Sequence, residues 1–177
     1  MVNPTGTKAC QDILIAKMVT FTITSGISTV FGLGWVWGGY DLPKAAQSHW
    51  YYHPIIINET MLKYAGQLAV DVYYIAKAEP VAPPNYAYCH FSYGATPDDS
   101  TLAGAAQNNY QQLPIVANDY TNLVLRRKRF NLIDVFTGNE GKKFCGYFGR
   151  HPTDPLDTYA GALGYIVAYL VKKGSGE

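Results

Sequence analysis

A chain of 177 residues with a net charge of +1, 48% apolar and only 15% charged, fits one domain that buries a core without staples. Its 15 tyrosines and 17 glycines, with few long Ala/Glu/Lys/Leu runs, point to many strands and turns and away from a helix bundle. No segment has transmembrane length, no basic n-region with an apolar core marks a secretory signal, and Cys10, Cys89 and Cys145 show neither a disulfide framework nor zinc spacing. Three unpaired thiols in a protein made in a reducing compartment are the expectation.

Residues 1–12 read as an N-terminal arm and residues 13–177 as one β domain. The arm opens Met1-Val2-Asn3-Pro4-Thr5, polar and turn-rich. Residues 17–24 then alternate, Val19, Phe21 and Ile23 against Thr20, Thr22 and Thr24, which predicts a half-buried antiparallel strand. Residues 25–40 mix glycine, tryptophan and valine so closely that an irregular segment is expected. Asp41 and Pro43 suit a single helical turn running to Ala46. Residues 49–58 predict a strand broken at Pro54, followed by a short helix opened by Asn58 and closed by Gly66.

Residues 67–77 form the second clear strand signal, and residues 79–85, with Pro80, Pro83 and Pro84, a stiff connection. An aromatic strand follows over 86–93. Residues 94–118 are weakly patterned, with room for one short helix over 102–112. A strand is expected within 120–136, a turn at 137–141, a return strand over 142–148 and a proline-bearing crossing to the end. Between Leu163 and Val171 no side chain is charged. As a strand this stretch sets Tyr165, Val167, Tyr169 and Val171 against Ile166, Ala168 and Leu170, apolar on both faces, so it belongs inside a sheet. Seven to nine strands with no β-helix-β rhythm predict an all-β fold: a single jelly-roll β-sandwich or barrel with short helical turns in its loops.

The sharpest charge feature is Arg126-Arg127-Lys128-Arg129, within a stretch (121–150) of seven basic and two acidic residues. An extended run puts two of the four on each face. Pairing with acidic neighbours is the plainer reading, and contact with an anionic partner such as a bilayer surface the sharper one. Nucleic acid is not expected, because no RNP, zinc-finger or helix-turn-helix pattern accompanies the run. Trp35, Trp37, Trp50, Tyr51 and Tyr52 suit a core end or a subunit contact, or else a sugar-stacking platform. Cys10, beside the arm, is the thiol best placed to reach another chain. His49, His53 and Glu59 offer metal-ligating atoms, but no close His-x-His pair exists and Pro54 interrupts the strand. Cys89 and His90 are adjacent in a strand and so face opposite ways. No nucleophile elbow, phosphate loop, HExxH or dinucleotide fingerprint is present. No catalytic role and no cofactor is therefore expected.

The Val2-Asn3-Pro4-Thr5 arm, the alternating strand at 19–24 and the apolar strand at 165–171 give the whole chain a resemblance. It resembles the smaller major capsid protein, a single jelly roll, of the tailless, membrane-containing icosahedral phages of Thermus. The resemblance implies a structural coat subunit located in the virion and made in the host cytoplasm. It also implies self-association into dimers or larger capsomers, a second major capsid protein as partner, and contact with internal viral membrane lipids. In that setting Cys10, Trp35 and Trp37 are the candidate inter-chain contacts. A carbohydrate-binding β-sandwich, a lectin or receptor-binding module, is the alternative, and a jelly-roll enzyme using His49, His53 and Glu59 the third.

Overall fold

The computed structural model describes residues 12–18, 20–22, 27–32, 35–44, 49–52, 54–97, 107–151 and 153–174; for 20–22, 27–32, 35–40, 49–52, 165 and 166 it describes the backbone alone. In chain order the elements are β1 (Ile13–Met18), β2 (Thr20–Thr22), β3 (Ile27–Gly32), β4 (Trp35–Tyr40), β5 (His49–Tyr52), β6 (Ile55–Ile56) and α1 (Glu59–Lys63). There follow β7 (Leu68–Ala76), β8 (Asn85–Thr96), β9 (Gln107–Ile115), β10 (Arg126–Asn131), β11 (Lys143–Arg150) and β12 (Leu163–Lys172). One antiparallel sheet has the order β1-β12-β7-β10, the other β2-β5-β11-β8-β9, and β3 and β4 form a separate hairpin.

The path of the chain makes this a jelly roll. From β1 it crosses to β5, back to β7, over to the β8–β9 pair, back to β10, over to β11 and home to β12. The first and last strands of the roll end side by side, Leu14 opposite Val171 and Met18 opposite Ala168. On its other edge β12 pairs with β7, with an irregularity between Gly164 and Val167. The interior place expected for the apolar C-terminal stretch is thus the place it takes. Ala168 and Leu170 are fully buried towards the second sheet, and Val171 is buried on the opposite face.

Aromatic packing closes the sandwich. Phe130 of the first sheet lies 6.1 Å from Phe91 and 5.7 Å from Phe148 of the second, the latter edge to face at 82°. Phe136 and Tyr93 extend this cluster to Phe144, at 5.1 and 6.2 Å. Such rings bring large buried areas and a preference for tilted or edge contacts. Within the second sheet Gly146 lets β11 lie against β8, since a Cβ there would meet the Ser92 carbonyl oxygen at 2.3 Å.

Two devices close the sides. At one, a single run changes sheets between β1 and β2. At the other, β9 side chains satisfy the open edge of β10: Asn109 Nδ2 donates to Asn131 O at 2.7 Å and Gln111 Nε2 to Arg129 O at 2.9 Å. Side chains that cap an edge in this way remove a template for unwanted strand pairing.

Several sequence expectations are corrected. The strand foreseen over 17–24 starts earlier, at Ile13, and its described residues are divided between two sheets; residues 19, 23 and 24 lie outside the described set. Residues 27–32 and 35–40 pair as regular antiparallel strands where an irregular segment was expected; residues 25, 26, 33 and 34 lie outside the described set. Gly38 and Gly39 sit opposite Thr29 and Ser28 while Trp37 faces Val30, so β-favouring residues outweigh the glycines. Leu42, within the stretch expected to open a helical turn, makes a bridge to Leu163, and residues 45 and 46 lie outside the described set. Residues 107–115 are a strand where the second half of a helix over 102–112 was foreseen, because they pair along β8 and the amides of Asn109 and Gln111 serve β10; residues 102–106 lie outside the described set. The strand expected within 120–136 is confined to 126–131, preceded by turns in which Asn118 (φ 66°) and Leu123 (φ 50°) are left-handed. The broken strand at Pro54 and the helix capped by Asn58, whose side chain accepts from Met61 N at 3.1 Å, agree with the sequence reading.

Candidate functional site

Strands β7, β9 and β11 run to one end of the sandwich, and β8, β10 and β12 start from it. Asn85 is opposite Ile115, Arg126 opposite Tyr74 and Leu163 opposite Ala76. The connections 77–84, 116–125 and 151–162 therefore meet at one end. Each is fixed by a polar side chain. Glu79 ties the first to the second: Oε2 accepts from Asn118 N at 3.0 Å, and Oε1 from Thr121 N at 2.8 Å and Thr121 Oγ1 at 2.5 Å. The Thr121 hydroxyl bond, together with the backbone amides, draws the Glu79 carboxyl below the usual range.

Inside the second connection, buried Asp119 accepts from Val116 N at 2.8 Å and holds Arg126 through two bonds of 2.5 and 2.7 Å. Tyr159 anchors the third connection to the first. Its hydroxyl accepts from Lys77 N at 3.1 Å and Ala78 N at 2.9 Å, and donates to Ala78 O at 2.8 Å. Burial raises the Tyr159 phenol above its ordinary value, outweighing these bonds and nearby Arg150.

Beneath the third connection lies Arg150, fully buried. It holds Asp157 with bonds of 2.6 and 2.7 Å, and donates to the carbonyls of Gly161 at 2.5 Å, Leu42 at 3.3 Å and Tyr159. Asp157 also accepts from Tyr88 N at 3.0 Å, and Lys44 Nζ reaches Asp157 O at 2.8 Å. The sequence reading counted Arg150 with the basic stretch and had no signal for its burial or for Asp157.

On this fixed framework stand four exposed apolar side chains: Val81 (89% exposed), Tyr120 (44%), Leu125 (49%) and Leu156 (48%). Each of the three connections contributes at least one. Isolated surface apolar residues are ordinary; apolar residues gathered at one end, on loops that cannot fold inward, are suited to contact.

The basic run divides between faces as its extended form requires. Arg129 grips buried Asp71 in a two-point bond, 2.7 and 2.8 Å, and reaches Asp12 at 2.5 Å. Arg127, with 46% of its side chain exposed, stands 3.5 Å from Asp71. Arg126 turns to Asp119. Lys128 has no ion pair among the described residues. Asp12 also accepts from Gly174 N at 2.9 Å, so one carboxylate joins both ends of the domain. The Arg129 bond, ahead of the Gly174 amide, draws Asp12 below the usual carboxylate range.

Among the other foreseen residues, Cys10 and His53 lie outside the described set. Trp35 and Trp37 are in β4, His49 in β5 and Glu59 in α1. Among the described residues no three metal-ligating side chains come together. Cys89 and His90 face opposite sides of β8, with Cys89 in the core, where burial drives its thiol far up. A buried thiol of that kind is inert. Cys145 is buried, 3.2 Å from Thr96 Oγ1.

No protein-family profile matches this chain, and no curated protein matches it in sequence. Solved structures align with it at shallow overlap. The family 30 carbohydrate-binding module of the cellulosomal cellulase Cel9D-Cel44B of Clostridium thermocellum is 9% identical, with 94% of this chain and 99% of that one covered and a TM-score of 0.42. TmCBM27, a carbohydrate-binding module with specific mannan recognition, is 12% identical, with 92% and 99% covered and a TM-score of 0.41. The K3 cleaved adhesin domain of Lys-gingipain from Porphyromonas gingivalis w83 is 9% identical, with 88% and 91% covered and a TM-score of 0.43. Overlap of this depth transfers no ligand to the present chain.

Proposed function

We propose that this chain is a structural coat subunit of a virion, of the kind found as the smaller major capsid protein in the tailless, membrane-containing icosahedral phages of Thermus. It self-associates and tiles a shell beside a second capsid protein. Jelly rolls serve as capsid and as lectin domains, so the fold alone does not choose between them. The observation that supports the coat reading is the apolar end formed by Val81, Tyr120, Leu125 and Leu156 on three interlocked loops. A shell needs contacts in fixed register, and loops already ordered lose little entropy when a neighbour covers them. Arg127, whose side chain is 46% exposed, is the member of the basic run offered to an anionic partner such as the lipid of an inner membrane.

The test is size-exclusion chromatography with light scattering over a concentration series, on the wild type and a Val81→Asp/Leu156→Asp variant. Discrete oligomers or spherical particles from the wild type, lost in the variant, support the reading. A wild type that stays monomeric throughout, alone and with its partner protein, counts against it.

A further inference from the structure

The outer face of the second sheet is built unlike the rest of the surface. In β8 the residues alternate, Ala87, Cys89 and Phe91 into the core and Tyr88, His90 and Ser92 outward. The register sets Tyr88 opposite Gln112, His90 opposite Tyr110 and Ser92 opposite Asn108, while His151 follows from the end of β11. Tyr88 and Tyr110 lie 6.0 Å apart with their planes only 20° from parallel. His151 approaches Tyr110 at 5.3 Å and His90 at 4.6 Å, and Tyr147 meets His90 at 5.4 Å. Five rings thus join into one cluster on β8, β9 and the end of β11; His90 is buried within it, and Tyr88, Tyr147 and His151 are partly exposed. Tyr110, on the edge strand, is 46% exposed.

The chemistry of this surface selects among ligands. Rings already in contact leave no gap for a cation, which rules out an aromatic cage and leaves a face for stacking. Among the described residues no Lys or Arg projects from the cluster. The ammonium of Lys44 is held by Asp157, at 2.8 Å from its carbonyl and 3.8 Å from its carboxylate. Lys143 is opposite Thr96, eight residues along β8 from Tyr88 and so roughly 26 Å away at the rise of a strand. Asp154, in the adjoining loop, adds negative charge beside Tyr88, whose phenol is raised by desolvation first and by that carboxylate second. A carboxylate at that place disfavours phosphate, sulfate and uronate groups next to Tyr88. The rim consists of amides and hydroxyls, Gln112, Asn108 and the phenols, which suit a ligand bearing many neutral hydroxyls.

We propose that Tyr88, Tyr110 and His151 form a binding site for a neutral glycan, with pyranose C–H faces stacked on the rings and Gln112 and Asp154 meeting ring hydroxyls. This site lies on a sheet face that adjoins the loop end through the 151–162 connection, where Gln112 Nε2 donates to Leu156 O at 3.4 Å, and it does not depend on the coat-subunit reading. The sequence offered Trp35, Trp37, Trp50, Tyr51 and Tyr52 as a sugar platform; the rings that the fold gathers here are different ones.

Isothermal titration of the full chain with neutral hexaoses in gluco, manno and xylo configuration tests it, with hyaluronan as the anionic comparison. At least one neutral hexaose binds the wild type. Tyr110→Ala weakens that binding by about fivefold or more, the low end of aromatic stacking. Gln112→Ala also weakens it, whereas Tyr120→Ala, at the loop end, leaves it unchanged. Equal unfolding midpoints show that the variants fold. Binding of none of the three hexaoses, equal binding by Tyr110→Ala, or preference for hyaluronan overturns the proposal.

Discussion

Arg150 and Asp157 form an ion pair from which water is wholly excluded: both side chains are fully buried, joined by bonds of 2.6 and 2.7 Å. Seven residues apart in sequence, they pin the last connection of the roll beneath its own loop. The remaining guanidinium protons go to three carbonyls, which is how such a pair offsets its desolvation. Removal of one partner strands the other as a buried charge. Arg150→Met is expected to cost about 3–5 kcal/mol, and the double variant Arg150→Met/Asp157→Leu less than the sum of the singles, by urea unfolding.

Phe130 carries the main aromatic contact between the sheets, to Phe91 and Phe148. Phe130→Ala leaves a cavity at the centre of the core and is expected to cost about 3–5 kcal/mol, read from the shift in urea midpoint at unchanged slope.

A methyl group at position 146 has nowhere to go. With the Ser92 carbonyl 2.3 Å from the added Cβ, Gly146→Ala forces β11 away from β8. An expected loss of about 1–3 kcal/mol, with weakened amide protection along both strands by hydrogen exchange, follows from overpacking.

Acid should loosen the ends of the roll. Asp12, Glu79 and Asp134 are all held below the ordinary carboxylate range, chiefly by bonds from Arg129, Thr121 and Thr137 respectively. For a lowered carboxyl the stabilisation is complete above the unfolded value, about 4, and disappears as pH falls through the folded one. Stability should therefore fall between about pH 5 and pH 2. Glu79→Gln should lower stability at neutral pH and shrink the acid-induced loss, because one of the three linked protons is gone. Chemical unfolding at several pH values measures both effects.

What was legible in the chain was burial. An uninterrupted apolar stretch at 163–171 demands cover on both faces, and the centre of a sheet is the place that provides it. The cap at Asn58, the break at Pro54 and the opposite facing of Cys89 and His90 are likewise local rules that tertiary structure left alone. What was not legible depended on partners distant in sequence. Gln111 and Asn109 read as loop or helix until β10 is seen to offer its free carbonyls. Leu123, Val124 and Leu125 look like strand residues, yet Glu79 and Asp119 hold that segment in turns with Leu123 left-handed. Arg150 looks like any surface charge until Asp157 and three carbonyls surround it. The ring cluster of Tyr88, Tyr110 and His151 was hidden for the same reason, since its members come from three elements.

The coat-subunit account is tested most directly by quantitative mass spectrometry of the chain in purified particles from its source. The account predicts hundreds of copies per particle, in a fixed ratio to a second major protein. Particles that lack the chain, or carry only a handful of copies at the surface, would contradict it.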